Sequence, residues 1–232
     1  MDLREQQRSL LKSEFEIIVV GASIGGLKAL QSLLSTLPED FSVPIVIVQH
    51  RGKDSETGLC DFLARSSLLP ISEPEDKESI LPGHIYLAPR DYHLLLADGS
   101  FALSTDPPVG FARPSVDVLF ESAADEFKER TIGVVLTGAN RDGAKGLAAI
   151  KSRGGLTLVE DPDLATCREM PDSAIASSEV DRILALEEIG PFLTNICKVP
   201  TGAGIHPALH ERLGGAAESD SETSPTIGSN GN

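Results

Sequence analysis

The stretch from Glu16 to Leu30 constrains the fold more than any other part of this chain. It reads EIIVVGASIGGLKAL, which is a run of apolar, mostly β-branched residues, then a turn of small residues, then leucines at helical spacing. Consecutive β-branched residues are typical of a strand that is covered on both faces of a parallel sheet. The glycines permit a tight turn where a Cβ would collide. The pattern predicts strand, turn and helix, with Ser23 at the carboxyl end of the strand.

The same alternation of strands and helices recurs along the chain. Buried strands are predicted at residues 43–49, 85–88, 131–136, 156–159 and 182–186. Helices are predicted around residues 59–63 and at 144–152, 171–178 and 189–197, and a further helix is predicted to begin after Ser115, its N-cap. Two short apolar runs on either side of Asp98-Gly99 predict a β-hairpin. The order indicates a single doubly wound α/β domain with a mostly parallel sheet and an antiparallel hairpin at one edge.

The composition divides the chain into three segments. Residues 1–15 form a short polar lead, and residues 16–198 carry the alternating pattern of the folded domain. Residues 199–232 are rich in Gly, Ser, Thr, Asn and acidic side chains and have almost nothing to bury, so we expect a flexible, disordered tail.

Charge and cysteine content exclude several classes of function. A formal net charge of −15 argues against binding to nucleic acid or to anionic membrane surfaces. No apolar run approaches the ~18 residues of a membrane span, and no signal peptide is visible. The 3 scattered cysteines lack metal-site spacing and suit a reducing compartment. We therefore expect a cytoplasmic protein that has neither a metal site nor a cofactor.

Three polar residues follow predicted strands and form the candidate site. Ser23 follows the first strand, His50 ends the second, and Asp142 lies just past the strand at 131–136. The carboxyl ends of parallel strands open on one edge of a sheet, so these side chains can converge there. A serine hydroxyl becomes a useful nucleophile when an imidazole removes its proton and a carboxylate orients that imidazole. The positions predict a Ser-His-Asp acyl-transfer site.

Each residue also has a structural interpretation. A serine in a glycine-rich turn is more often a helix cap, a lone histidine is more often a surface residue, and an aspartate before a glycine is more often a turn residue or an N-cap. Only their joint occurrence at three strand ends favours catalysis. The remaining histidines are interpreted as structural or solvent-facing, namely His84, His93, His206 and His210.

Familiar motifs overlap the first turn without fitting it. Gly21 to Gly25 satisfies the G-x-S-x-G pattern of α/β-hydrolases, but that fold has the order Ser, Asp, His, which differs from the order here. Ser23 stands where a dinucleotide-binding turn needs its second glycine, and no acidic residue ends the second strand. A P-loop is excluded because no Gly-Lys-Ser/Thr follows the turn.

Taken together, these motifs resemble the catalytic domain of the CheB family, the chemotaxis receptor methylesterases, over about Ile17 to Cys197. The resemblance rests on five segments in order: GASIGG, VQH, LPGHIYLAP, RPSVDVLF and LTGANRDGA. It implies that the domain at 16–198 hydrolyses γ-glutamyl methyl esters on the cytoplasmic helices of chemoreceptors and deamidates particular glutamines by the same chemistry.

Carried over by position, the resemblance assigns roles to individual residues. Ser23 is the expected nucleophile, His50 the base and Asp142 its orienting carboxylate. The backbone N–H groups of Ile24 and Ala139 are the expected oxyanion donors. Arg113 is a candidate contact for an acidic substrate helix, although a loop arginine that pairs with a neighbouring acid is about as well supported.

The chain departs from the family pattern in several places. The family usually has a receiver domain before the catalytic domain, whereas about 15 residues precede the first strand here, so we expect any control to come from a separate regulatory protein or from expression. Ala139-Asn140 replaces the common Met-Gly, Arg168-Glu169 replaces an aromatic and a glycine, and Ile24 replaces a smaller residue. These changes are expected to alter the substrate more than the reaction.

Two other functions remain open from the sequence. A non-catalytic adaptor in a chemosensory system is suggested by the absent receiver domain and the altered site walls. A nucleotide-binding oxidoreductase is suggested by the glycine turn alone.

Overall fold

The structure is a computed structural model, and it describes residues 13–51 and 58–198. These residues belong to one compact unit, Lys12–Val199. The predicted tail at 199–232 and most of the polar lead, residues 1–12, lie outside the described residues, as do His206 and His210. No helix of the described part is long and apolar enough to cross a membrane.

Strands and helices alternate along most of the chain, as the sequence predicts. The strands are β1 (Ile17–Ala22), β2 (Ile45–Gln49), β3 (Ile71–Ser72), β4 (Ile85–Leu87), β5 (His93–Ala97), β6 (Ser100–Ser104), β7 (Thr131–Val135), β8 (Leu156–Glu160) and β9 (Arg182–Leu184). The helices are α1 (Gly26–Ser35), α2 (Leu59–Ala64), α3 (Val116–Phe127), α4 (Ala144–Ser152), α5 (Glu169–Ser177) and α6 (Leu186–Ile196), with a 3₁₀ turn at Lys128–Arg130.

The main sheet has seven parallel strands in the order β3-β4-β2-β1-β7-β8-β9. Every residue of β1, at its centre, is buried. Separate apolar clusters cover the two faces: α1, α2 and α6 pack on one face, and α3, α4, α5 and the hairpin pack on the other. This arrangement confirms the doubly wound α/β fold class.

The hairpin differs in one respect from the prediction. β5 and β6 pair with each other as a separate two-stranded antiparallel sheet and do not extend the main sheet. Leu94, Leu96 and Phe101 face the apolar cluster that α3 also lines. Burying this apolar face against the helix layer stabilises the hairpin without edge pairing. The predicted Asp98-Gly99 turn is present, with both residues at positive φ.

Element boundaries differ from the predictions at the less apolar segments. The short edge strand β3, Ile71–Ser72, lies in a segment for which the sequence pattern predicts no strand. α5 begins at Glu169 rather than at Pro171, which lies in its first turn where a proline costs no hydrogen bond. α6 begins at Leu186 rather than at residue 189, and β9 ends at Leu184.

The topology brings three strand ends together. β1 lies between β2 and β7, with Ala22 paired to Gln49 and Gly21 paired to Val135. The chain leaves β1 towards β2 on one side, and the later strands are added from β7 on the other side. The carboxyl edge between β1 and β7 is therefore the switch point at which open α/β sheets bind ligands.

Candidate active site

Ser23 lies directly beyond β1, and its backbone is held from both sides. Its N–H donates to the carbonyl of Thr137 over 3.0 Å, and its carbonyl accepts from Gln49 Nε2 over 2.9 Å. Gly25 follows at φ 81°, a left-handed conformation that favours glycine. The chain can therefore enter α1 immediately after Ser23 and leave the serine side chain facing the cleft.

His50 lies directly beyond β2, next to Ser23. Its N–H donates to the carbonyl of Ala22 over 2.9 Å, which continues the pairing of the two strands. The Nε2 atom of its ring lies 2.7 Å from Asp142 Oδ2, and its Nδ1 atom lies 2.9 Å from Asn140 Nδ2. Both ring nitrogens therefore have partners on the loop that follows β7.

Asp142 is buried at the amino-terminal end of α3 and is surrounded by donors. Its Oδ1 accepts from the Ser115 hydroxyl at 2.8 Å and the Asp117 N–H at 2.9 Å, and its Oδ2 accepts from the Val116 N–H at 2.7 Å. Burial opposes its ionisation, but the hydrogen bonds from His50 and from the Asp117 and Val116 amides outweigh burial and lower its pKa. Asp142 is thus an ionised carboxylate.

An ionised Asp142 determines which nitrogen of His50 is the base. A carboxylate only accepts hydrogen bonds, so the Nε2 atom that faces it carries the proton. The Nδ1 atom of a neutral imidazole then carries the lone pair. The lone pair of Nδ1 is the one that can take a proton from a nucleophile.

A second buried aspartate, Asp117, supports the first and was not singled out from the sequence. Its Oδ1 accepts from the N–H groups of Gly143 at 2.9 Å and Gly146 at 2.8 Å, at the start of α4. Burial raises its pKa, opposed by the hydrogen bond from Gly146 and helped by the charge of Asp142. Asp142 therefore binds the amino terminus of α3 while Asp117, from α3, binds that of α4. The sequence signal was an aspartate in the first turn after the N-cap.

Ser115 has two roles in this arrangement. Its side chain accepts from the Val118 N–H, which confirms the predicted N-cap of α3, and its hydroxyl donates to Asp142. Its own N–H donates to Nδ1 of His93, a buried ring whose Nε2 lies 3.2 Å from the carbonyl of Pro107. The His93 contacts agree with a structural role. We refer to Asp142, Ser115 and Asp117, with the first amides of α3, as the acid cluster.

The two expected oxyanion donors lie on adjoining loops. Among the described residues, the N–H groups of Ile24 and Ala139 have no hydrogen-bond acceptor. Thr137 joins the two loops, because its hydroxyl donates to the carbonyl of Ile24 at 2.9 Å. The Thr137 N–H donates at 2.7 Å to Glu160, whose pKa is raised by burial. Within the described part of the chain both amides are therefore unpaired, and their role as oxyanion donors stays a prediction.

An open cleft of about 560 Å³ contains the serine and the imidazole. Ser23, His50 and Asn140 line it, together with Arg51 and the loop Pro108–Pro114 apart from Val109. We refer to residues 108–114 as the cleft wall. Phe111 of this wall is fully exposed and adopts φ 68°. Within the described residues, no group of acidic, histidine or cysteine side chains is arranged to hold a metal ion.

Arg113 lines the cleft, but its guanidinium is already engaged. It forms an ion pair with Asp91 at 2.6 Å and donates to the carbonyls of Thr105 at 2.7 Å and Asp106 at 2.9 Å. These contacts agree with the structural interpretation of this arginine, because they hold the base of the cleft wall. A contact between Arg113 and a substrate stays a prediction.

Comparison with known proteins gives one consistent result. The sequence profile of the CheB methylesterase family matches residues 18–193. A Leptospira interrogans protein, provisionally named a protein-glutamate methylesterase/protein-glutamine glutaminase, is 48% identical over 183 residues, which are 78% of this chain and 95% of that protein. A protein of the same name from Anaeromyxobacter dehalogenans is 42% identical over 79% of this chain, but the match covers only 54% of that relative.

A solved structure extends the comparison to the fold. The crystal structure of the Thermotoga maritima CheB methylesterase catalytic domain matches with a TM-score of 0.75 and 35% sequence identity. The match covers 78% of this chain and 98% of that domain. The matched part is therefore a whole catalytic domain.

Proposed function

Because this chain belongs to the CheB methylesterase family, we propose that it is a protein-glutamate methylesterase acting on methylated chemoreceptors, with Ser23, His50 and Asp142 as its catalytic residues. The observation that carries the assignment of residues is the 2.7 Å contact between His50 Nε2 and an ionised, buried Asp142. This contact directs Nδ1, rather than Nε2, towards the chemistry, in the cleft that also contains Ser23.

The first half of the reaction transfers the glutamyl group to the enzyme. The Ser23 hydroxyl oxygen forms a bond to the ester carbonyl carbon while His50 Nδ1 takes the hydroxyl proton. The tetrahedral intermediate then loses methoxide, which leaves as methanol with the proton from Nδ1. Asp142 stabilises the imidazolium during both steps and does not itself take up a proton.

The second half repeats these steps with water. His50 Nδ1 takes a proton from water, the resulting hydroxide attacks the acyl carbon, and the proton returns to Ser23 as its oxygen leaves. The products are free glutamate on the substrate and the original enzyme. With a glutamine substrate the same steps release ammonia instead of methanol, which accounts for a glutaminase activity.

The N–H groups of Ile24 and Ala139 are proposed to bind the negative oxygen of the tetrahedral intermediate. Their support is that neither amide has an acceptor among the described residues, although Thr137 bonds to the backbone of both Ser23 and Ile24. Loss of one such donor typically lowers the rate by about 10²–10³-fold. Because the donors are backbone groups, the fold of these loops matters more than their side chains.

The proposed partners are the cytoplasmic helices of chemoreceptors that carry methylated glutamates, with regulation by a separate protein. The names of the relatives favour this enzyme over a non-catalytic adaptor. The complete pairing of Asp142 also favours the enzyme, because an adaptor gains nothing from a buried ionised carboxylate directed at an imidazole. The glycine turn contains Ser23 in place of the second glycine, so an oxidoreductase has no support beyond that turn.

The proposal is tested by methanol release from a receptor that carries labelled methyl esters. We expect the purified protein to release methanol and Ser23→Ala to reduce the rate by about 10⁴-fold or more, the cost of losing a nucleophile. Ser152→Ala is the matched control, since Ser152 is at the far end of α4 and its hydroxyl donates to the carbonyl of Ala149 in the same helix. Undiminished release by Ser23→Ala would contradict the mechanism.

A further inference from the structure

Asn140 occupies a position between the catalytic histidine and the loop that carries Asp142. Its Nδ2 lies 2.9 Å from His50 Nδ1, and its Oδ1 accepts from the backbone N–H of Asp142 at 2.9 Å. It is half-buried and lines the cleft beside Ser23.

The orientation of the Asn140 amide follows from these two contacts. The Asp142 N–H can only donate, so the oxygen of the amide must face it and the NH₂ group must face His50. An NH₂ group can only donate, so Nδ1 accepts this hydrogen bond with its lone pair. The contact with Asn140 at Nδ1 and the contact with Asp142 at Nε2 therefore indicate the same tautomer, with the proton on Nε2.

In the proposed mechanism Ser23 gives its proton to His50 Nδ1, so Asn140 occupies the lone pair that Ser23 requires. The lone pair of Nδ1 lies in the ring plane and serves one well-aligned donor at a time. Within residues 13–51 and 58–198, the ring nitrogens of His50 bond to Asp142 and Asn140, and neither bonds to the Ser23 hydroxyl. In this arrangement the serine is exposed to the cleft but has no base.

The catalytic cycle requires this contact to break. Once Nδ1 has taken the proton of Ser23 it becomes a donor, and it then faces the NH₂ group of Asn140 with no acceptor between them. Asn140 is at the cleft surface, so its side chain can rotate towards the space that the substrate enters.

We propose that Asn140 is a positioning residue that covers His50 Nδ1 in the substrate-free enzyme and uncovers it when substrate binds. The inference deepens the proposed function and rests on it. It predicts that Ser23 is less reactive than the same serine beside an uncovered imidazole. It also gives a physical role to a residue that the family resemblance marked only as a departure.

The test compares rates of Ser23 labelling by a small fluorophosphonate in the absence of receptor. Asn140→Ser is the decisive variant, because a serine can still accept from the Asp142 N–H in the turn but is too short to reach Nδ1. We expect Asn140→Ser and Asn140→Gly to be labelled about 3–10-fold faster than the wild type, the range that one neutral hydrogen bond supplies. Arg141→Ala, an exposed change in the same loop, is expected to leave the rate unchanged.

A rate that is unchanged or lower in a folded Asn140→Ser variant would overturn the inference. An absence of label on Ser23 in all of these proteins would overturn both the inference and the proposed function, whereas faster labelling of the wild type would overturn the inference alone.

Nuclear magnetic resonance of the His50 ring nitrogens provides a readout that does not depend on Ser23 chemistry. In the neutral wild-type ring we expect the nitrogen chemical shift of Nε2 to be that of a protonated nitrogen. The chemical shift of Nδ1 should be that of an unprotonated nitrogen whose lone pair accepts a hydrogen bond. In Asn140→Ser the Nδ1 signal should shift towards that of a free lone pair. An unshifted Nδ1 signal would contradict the covering role even if the esterase activity were established.

Discussion

The acid cluster and the cleft wall both border His50, but they hold their side chains in opposite ways. In the acid cluster Ser115, Asp117 and Asp142 are buried, and each carboxylate accepts at least two hydrogen bonds. In the cleft wall Phe111 is fully exposed on a turn that is closed by two backbone hydrogen bonds between Val109 and Ala112.

This difference separates two tasks of an esterase. The orientation of the imidazole depends on groups that cannot move without leaving buried charges unpaired, which costs more than the loss of an exposed contact. We expect recognition of a large substrate to use exposed groups, and Phe111 presents an aromatic ring in the cleft that Ser23 also lines, at the expense of a left-handed backbone. Changes in the acid cluster should therefore affect the chemical step, and changes in the wall should affect binding.

The largest expected effect is that of Asp142→Asn. The amide can donate to His50 and so favours the wrong tautomer, which lowers kcat by about 10⁴-fold in a comparable triad. Methanol release under saturating receptor measures this effect. Asp163→Asn, an exposed aspartate that pairs with Arg168, is the control and should retain full activity. A loss below tenfold for Asp142→Asn would show that the acid cluster does not orient the base.

The next largest effect is a loss of folding stability when Asp117, the other carboxylate of the acid cluster, is replaced. Asp117→Ala leaves the N–H groups of Gly143 and Gly146 buried without an acceptor, which should lower the free energy of unfolding by about 1–3 kcal/mol. Asp117→Asn keeps an acceptor oxygen and should lose less. Urea denaturation followed by circular dichroism checks both variants. Equal losses would mean that the two amides do not depend on this side chain.

The pH dependence of stability should have opposite signs at the two aspartates. The folded pKa of Asp142 is below its ordinary value of 3.8, so the stabilisation is present above pH 3.8 and is lost as pH falls below it. The folded pKa of Asp117 is above 3.8, so the wild type loses stability as pH rises from 3.8 through that folded value.

Urea denaturation of the wild type against Asp142→Asn and Asp117→Asn across the acid range measures both trends. The advantage of the wild type over Asp142→Asn should shrink as the pH falls, whereas that over Asp117→Asn should shrink as the pH rises. Parallel curves would contradict the assigned pKa directions.

The smallest expected effect is at the cleft wall. Phe111→Ala should raise KM for the methylated receptor by about 5–10-fold, the cost of a modest aromatic contact at an interface. It should leave kcat, the free energy of unfolding and fluorophosphonate labelling unchanged. Leu68→Ala, another exposed apolar residue that does not line the cleft, is the control. A fall in kcat instead of a rise in KM would contradict the claim that the cleft wall acts in binding and the acid cluster in the chemical step.

The sequence predicts the buried strands of this molecule better than it predicts the hydrogen-bond partners of the polar side chains. Strands such as β1 and β7 are recognisable because burial on both faces demands uninterrupted apolar residues, and their ends directed attention to Ser23, His50 and Asp142. The hydrogen bonds between Asp142 and the amino terminus of α3, and between Asp117 and that of α4, could not be predicted. They depend on α3 and α4 packing so closely that a Cβ at Gly146 would meet Phe120.

Other features were hidden for related reasons. The separate hairpin sheet depends on how its apolar face meets α3, which is a tertiary contact. The contact between Asn140 and His50 depends on the path of a loop that no periodic pattern describes. Local propensity identifies elements, but the partners of polar side chains become evident only after the elements are packed.

The most direct test of the central claim, that Ser23 carries the glutamyl group during turnover, is interception of that intermediate by hydroxylamine. With methylated receptor, wild-type protein and hydroxylamine, we expect glutamyl hydroxamate alongside methanol, and neither product above the uncatalysed level with Ser23→Ala. Methanol release at the full rate without enzyme-dependent hydroxamate, or hydroxamate formed equally by Ser23→Ala, would contradict it.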